Sequence, residues 1–150
     1  MKNKILILTR YARLGASSRY RFYDFKDILE ENENECTYSP LLSNQYLIKT
    51  YSKSYRFIEI LKCYLKRLKV LFTTHKYDLC LIEKELFPFV PYFIESLFLS
   101  NSKRYIIDYD DATFHRYDEH KSKIIRYLLS KKISLLMANA SSVWVGNQYL

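Results

Sequence analysis

Two glycines and three prolines in 150 residues leave no room for flexible linkers, low-complexity tracts or a glycine-rich phosphate loop. The dinucleotide fingerprint G-x-G-x-x-G is absent, so a nicotinamide cofactor is not expected, and nothing else in the sequence calls for a cofactor. Cysteine is scarce too. Cys36, Cys63 and Cys80 are odd in number, widely spaced and set in apolar segments. That pattern suits neither a metal site nor a disulfide framework, and it fits a reducing, cytoplasmic compartment. Long hydrophobic runs are also missing. The longest, residues 86–99, contains Pro88, Pro91 and Glu95 and falls short of the roughly 20 apolar residues of a membrane span. Residues 5–8 are too short for a signal peptide core, and no small-residue cleavage site follows them.

What is present is apolar and basic. Hydrophobic residues make up 49% and aromatics 17%, enough for one domain with a real core. The net charge of +8 is clustered. Between residues 53 and 76, Lys53, Arg56, Lys62, Lys66, Arg67, Lys69 and Lys76 face Glu59 alone. Residues 121–132 hold five cations and no acid. Such blocks attract lipid headgroups, nucleic acid or phosphorylated substrates.

The hydrophobic pattern alternates between strands and helices. Residues 4–9 form a continuous β-rich apolar run, as expected for a strand covered on both faces. After a loop at 10–17, Ser17 or Ser18 is placed to cap a helix whose stripe is Phe22, Phe25 and Leu29. Residues 35–38 are a short second strand ended by Pro40. Residues 46–74 read as helix, broken near 52–54. Ile58, Leu61, Leu65, Leu68 and Phe72 are its expected core stripe, with Lys62, Lys66 and Lys69 one position on. Strands follow at 78–82, 104–107 and 142–145. A helix with prolines in its first turns comes after the third strand, and another spans 121–138 with Ile124, Leu128 and Leu135 inward. The expected fold is therefore α/β, a Rossmann-like parallel sheet with helices on both faces.

Ligands of such sheets bind outside the carboxyl ends of the strands. That rule selects five segments. The first loop carries Gly15, which permits a tight turn with positive φ, then Ser17, Ser18, Arg19 and Arg21. Small residues there let an anion approach a helix N-terminus. The competing interpretation is an ordinary solvated loop. The segment at 40–45 is the second. Glu83 and Glu85 flank Lys84 at the third strand end, where mutual salt-bridging is the plainer alternative. Asp108, Asp110, Asp111 and His115 form the densest segment, suited to general base work or hydroxyl recognition. Adjacent carboxylates raise one pKa by repulsion, while a purely structural role would pair them with Arg116 or Lys121. No further cluster completes an oxygen shell, so no metal is expected at Asp108 and Asp110. Gly146-Asn147 is the fifth segment. His75 and His120 stand in basic, polar surroundings and are expected to be solvated.

Taken in order, the strand at 5–9, the loop Gly15-Ala16-Ser17-Ser18-Arg19, the strands at 78–82 and 105–111, and Val143-Trp144-Val145-Gly146-Asn147 resemble the N-terminal domain of GT-B glycosyltransferases, and within them the family-four group. The resemblance covers the whole chain. It implies an acceptor-side domain, with the nucleotide sugar held by a second domain through a basic residue and a glutamate pair that this chain does not contain. It places the Gly15 loop near the donor phosphates and the acceptor, and it implies no metal. Where the family often shows a His-Asp pair, this chain has Tyr109-Asp110 or Asp110-Asp111, with His115 further on.

The expected function is transfer of a sugar from a nucleotide donor to a glycan or lipid-linked glycan, with Asp110 and Asp111 as the catalytic candidates. Gly15, Ser17, Ser18, Arg19, Arg21, Glu83, Glu85, His115 and Asn147 are the binding candidates. Residues 141–150 read as a buried strand, a turn and the start of a helix. The chain is therefore expected to be the first half of a two-domain enzyme, inactive by itself. Lys62, Lys66 and Lys69 are expected to meet an anionic inner membrane face, where lipid-linked acceptors reside. The alternative is a non-catalytic Rossmann-like module that binds a partner protein or such a membrane surface. Nucleic acid is not the expected partner, because no recognition motif accompanies the charge.

Overall fold

The computed structural model describes residues 2–31, 33–51 and 57–150. Lys53, Arg56 and the expected helix break near 52–54 lie outside the described residues. Five strands form one wholly parallel sheet: β1 (Lys4–Leu8), β2 (Glu35–Tyr38), β3 (Leu79–Glu83), β4 (Tyr105–Tyr109) and β5 (Ser142–Val145). Their order is β2-β1-β3-β4-β5. The helices are α1 (Ala16–Arg21), α2 (Lys26–Glu31), α3 (Asn44–Tyr51), α4 (Phe57–Leu71), α5 (Tyr92–Leu99), α6 (His115–Asp118), α7 (Lys123–Leu129) and α8 (Lys132–Ala138). The architecture is Rossmann-like α/β, with helices on both faces of the sheet. No helix among the described residues is long and apolar enough to cross a membrane.

The two faces are unequal. Leu6, Leu8, Ile82 and Ile107 point to the face covered by α4, α5 and α6–α8, and they meet Leu71, Leu99, Tyr117, Leu129, Ile133 and Leu136 in the main core. Ile5, Ile7 and Leu81 point the other way into a smaller cluster, where Phe22 and Leu29 cover them from the β1–β2 connection and Cys36, Tyr38, Leu79 and Ile106 flank them on the sheet. The connection from β1 to β2 thus runs on one face and the connection from β2 to β3 on the other. The strand order reverses between β1 and β3, and a ligand crevice opens at the carboxyl ends of strands at such a point.

Several helical expectations are corrected. The helix expected after residue 17 is α1, a 3-10 turn at Tyr23–Phe25, then α2, and Phe25 is exposed. The helix expected over 121–138 is broken at Ser130 and Lys131 into α7 and α8. Ile58, Leu61, Leu65 and Phe72 do not face the core, and neither do Ile124, Leu128 and Leu135; all are exposed. The inward face of α4 is instead Tyr64, Arg67, Leu68 and Leu71, and that of α7–α8 is Leu129, Lys132, Ile133 and Leu136. Each true inward face contains one wholly buried cation. Arg67 Nη2 donates to the carbonyls of Thr9 and Ser39, tying the ends of β1 and β2 together. Burial lowers its guanidinium to about 10. β5 is not the buried strand expected, because it lies at the sheet edge with Trp144 and Val145 exposed. After Gly146 the backbone forms a turn.

Candidate functional site

The residues singled out from the sequence divide into two adjoining clusters, and Lys84 is the reason. Its φ is 65°, a left-handed value that side chains other than glycine rarely adopt. The Glu85 N–H donates to the Glu83 carbonyl at 2.8 Å across it, closing a three-residue γ-turn of the rare positive-φ kind. The reversal sends Glu83 toward α1 and Glu85 toward α6 and α8. The two glutamates therefore do not share Lys84, as mutual salt-bridging would require.

Glu83 is buried at the start of α1. Its Oε2 accepts the Arg10 N–H (2.7 Å) and the Ser18 hydroxyl (2.6 Å), and its Oε1 accepts the Ser17 hydroxyl (3.1 Å). Ser18 Oγ in turn accepts the Tyr11 N–H at 3.0 Å. Neither serine caps the helix. Gly15 holds the N-cap position, and no side chain caps there. The first loop thus turns its small polar groups onto a carboxylate of the chain itself. Gly15 has φ −73° and needs no left-handed freedom. What it needs is space: a Cβ would lie 2.3 Å from Tyr11 Cβ and 2.9 Å from Tyr11 Cγ. Gly15→Ala is expected to cost about 1–3 kcal/mol through overpacking, read as a shift of the urea midpoint with unchanged slope. A loss below about 0.5 kcal/mol would show that Tyr11 moves aside freely.

Asp108 and Asp110 alternate at the end of β4. Asp108 is buried and held by both Nε and Nη2 of Arg21. Asp110 follows β4 directly and is partly exposed at the strand ends. Lys84 Nζ stands 2.7 Å from its Oδ1, and the Ser17 hydroxyl lies against its Oδ2. Burial works to raise the Asp110 carboxyl, but the hydrogen bonds from Lys84 and Ser17 outweigh it and hold the group below the ordinary carboxylate range. Repulsion from Asp111, expected to raise one of the two, does not prevail at Asp110. Asp111 is 67% exposed and only 3.9 Å from Lys84. The partners of this pair are Lys84 and Ser17, not Arg116 or Lys121.

Beyond the turn, Glu85 anchors a buried ionic cluster. Its Oε1 faces Arg10 (3.3 Å) and Arg116 (3.5 Å), and its Oε2 accepts from Tyr117 (2.6 Å) and Lys132 (2.7 Å). Lys132 also meets Glu95 Oε1 at 2.9 Å and the Phe87 carbonyl at 2.6 Å. Lys132 and Glu95 are fully buried, and Glu95 Oε2 has no hydrogen-bond partner among the described residues. Burial pushes the Glu95 carboxyl up and Lys132 pulls it down, leaving it at about 7.

The remaining sequence candidates stand apart. Arg19 stacks its guanidinium 4.6 Å from the Tyr20 ring. His115 Nε2 meets the Tyr149 hydroxyl at 2.7 Å, and its Nδ1 lies near Asp118 and Glu119. Those three side chains form the one group among the described residues with metal-ligand spacing, and it is surface-exposed. Asn147 Oδ1 accepts the N–H groups of Tyr149 and Leu150 and so closes its own turn. His120 is not simply solvated, since its Nδ1 accepts the Ser122 N–H and its ring packs near Phe89. Sequence reasoning missed Arg10, Glu95, Tyr117 and Lys132 as partners, and it weighed Lys84 and Arg116 against the wrong carboxylates: Lys84 pairs with Asp110 and Arg116 with Glu85. A lysine in an otherwise apolar helix face, as at Lys132, was the available signal. Compared with family models, curated proteins and solved structures, the chain matches none.

Proposed function

We propose that this chain is the acceptor-side domain of a glycosyltransferase, and that the crevice at Ser17, Lys84 and Asp110 receives the hydroxyl of a glycan or lipid-linked glycan. The observation that carries the reading is a shortage of protons. The Ser17 hydroxyl has one proton, and two carboxylates, Glu83 and Asp110, lie against it. A ligand hydroxyl donating to Asp110 supplies the missing hydrogen bond, and Lys84 beside it can donate to a ligand oxygen. The position agrees with the proposal, since these residues sit where the strand order reverses. A carboxyl held low in pKa is suited to orienting a hydroxyl. It is a poor proton acceptor near neutral pH.

Titration of the isotope-labelled chain with short oligosaccharides and, separately, with nucleotide sugars tests this. Saturable shifts of the Ser17, Lys84, Asp110 and Gly146 amides are expected with oligosaccharides. Saturation by nucleotide sugars alone, with oligosaccharides silent, overturns the acceptor-side assignment.

A further inference from the structure

The outward apolar stripe of α4 is exposed in the fold, yet it is as regular as a core stripe. Ile58, Leu61, Leu65 and Phe72 are all exposed there. Lys62, Lys66 and Lys69 are exposed on the same helix. α5 and α7–α8 pack on the same face of the sheet as α4. They continue the surface: Phe72 meets Phe98 edge-on at 5.6 Å, joining α4 to α5. A groove of about 560 Å³ then separates α5 from α7 and α8, lined by Tyr92, Phe93, Tyr127, Leu128 and Leu135, with Lys131 at its margin. Phe93 and Leu97 on α5, and Ile124 and Tyr127 on α7, are exposed.

Charge decides what this surface meets. Within α4, α5, α7 and α8 there are two acids. Glu95 is buried against Lys132, and Glu59 is paired with Lys49. The outer face is therefore apolar side chains bordered by Lys62, Lys66, Lys69, Lys123 and Lys131, with no opposing unpaired carboxylate from these helices. A protein partner would commonly present mixed charge. Anionic headgroups above an acyl layer match both the lysines and the apolar stripe. We propose that the outer face of α4, α5, α7 and α8 docks flat on an anionic lipid bilayer, the lysines in the headgroup layer and Leu61, Leu65, Phe93 and Leu128 below it. The inference is independent of the glycan reading, since none of these residues touches the Ser17–Asp110 crevice.

The test is co-sedimentation with vesicles of phosphatidylcholine, alone or mixed with phosphatidylglycerol. Binding is expected only to the anionic vesicles and is expected to weaken with salt. The triple variant K62E/K66E/K69E should bind about a hundredfold more weakly at low salt. Leu61→Glu with Leu65→Glu should lose binding at any salt, while circular dichroism and melting stay those of the unaltered chain because the side chains are exposed. The proposal is overturned if the unaltered chain fails to sediment with anionic vesicles. It is also overturned if the Leu61/Leu65 variant binds as well as the unaltered chain, or if light scattering shows a dimer that the same variant dissolves while vesicle binding is absent.

Discussion

Replacing Lys132 with methionine is expected to lower the unfolding free energy by about 3–5 kcal/mol above pH 7. Methionine fills similar volume, so the loss comes from charge. Lys132 is wholly buried between Glu85 and Glu95, and without it two carboxylates share one apolar interior. The pH dependence separates this cause from simple misfit. The Glu95 carboxyl stands at about 7 in the fold against an ordinary 4.5, so the folded chain holds a proton that the unfolded chain has released. The contribution of Glu95 to stability is therefore highest below about pH 4.5 and is lost as pH rises toward 7. Removing the ammonium raises that carboxyl further and extends the loss past pH 7. The difference between Lys132→Met and the unaltered chain should be small in acid and grow with pH. Adding Glu95→Gln should recover part of it. A difference that is flat in pH, or below about 1 kcal/mol throughout, would mean that the cluster is hydrated and contributes little.

The same residue shows where sequence reasoning reached its limit. The inner strands were legible as short, largely apolar runs, because a parallel sheet buries both faces of its inner strands. The run at 142–145 looks the same but lies at the edge, and nothing local distinguishes an edge strand from an inner one. Helix existence was legible as well, but helix phase was not. α4 and α7–α8 each carry two apolar stripes of similar period. Polarity favours as core the stripe free of cations. The fold buries the other stripe, because Arg67 finds the carbonyls of Thr9 and Ser39 and Lys132 finds Glu85 and Glu95 at the strand ends. Those partners are distant in sequence, so a cation that finds them cannot be recognised from the helix alone. At the candidate site, the strand-end rule selected the segments that hold Ser17, Ser18, Glu83 and Asp110, and the fold brings these side chains together. The reversal at Lys84 was invisible, since a positive φ at lysine has no sequence signal.

Asp110→Asn and Asp111→Asn are expected to differ sharply, although the two residues are adjacent. Asp110 is fixed from two sides, by Lys84 at 2.7 Å and by Ser17, and its backbone follows β4 directly. A ligand hydroxyl that donates to it makes a hydrogen bond to a charged, pre-positioned acceptor. Losing such a bond costs about 1.5–3 kcal/mol, so Asp110→Asn should weaken oligosaccharide binding by about tenfold to a hundredfold. Asp111 is mostly solvated and stands 3.9 Å from Lys84, so its bond to any ligand competes with water. Asp111→Asn should change affinity by less than about twofold. Stability must be read alongside, because Asp110 is also an ion-pair partner. Its carboxyl is held below the ordinary range, so it stabilises the fold above the ordinary carboxylate pKa, and that contribution is lost as pH falls through the depressed value. Asp110→Asn therefore carries its stability cost at neutral pH and not in strong acid. Affinities are compared at neutral pH on samples shown to be folded. If both variants bind oligosaccharide as the unaltered chain does, Asp110 serves only to hold Lys84 in its strained turn, and the hydroxyl site must lie elsewhere along the strand ends.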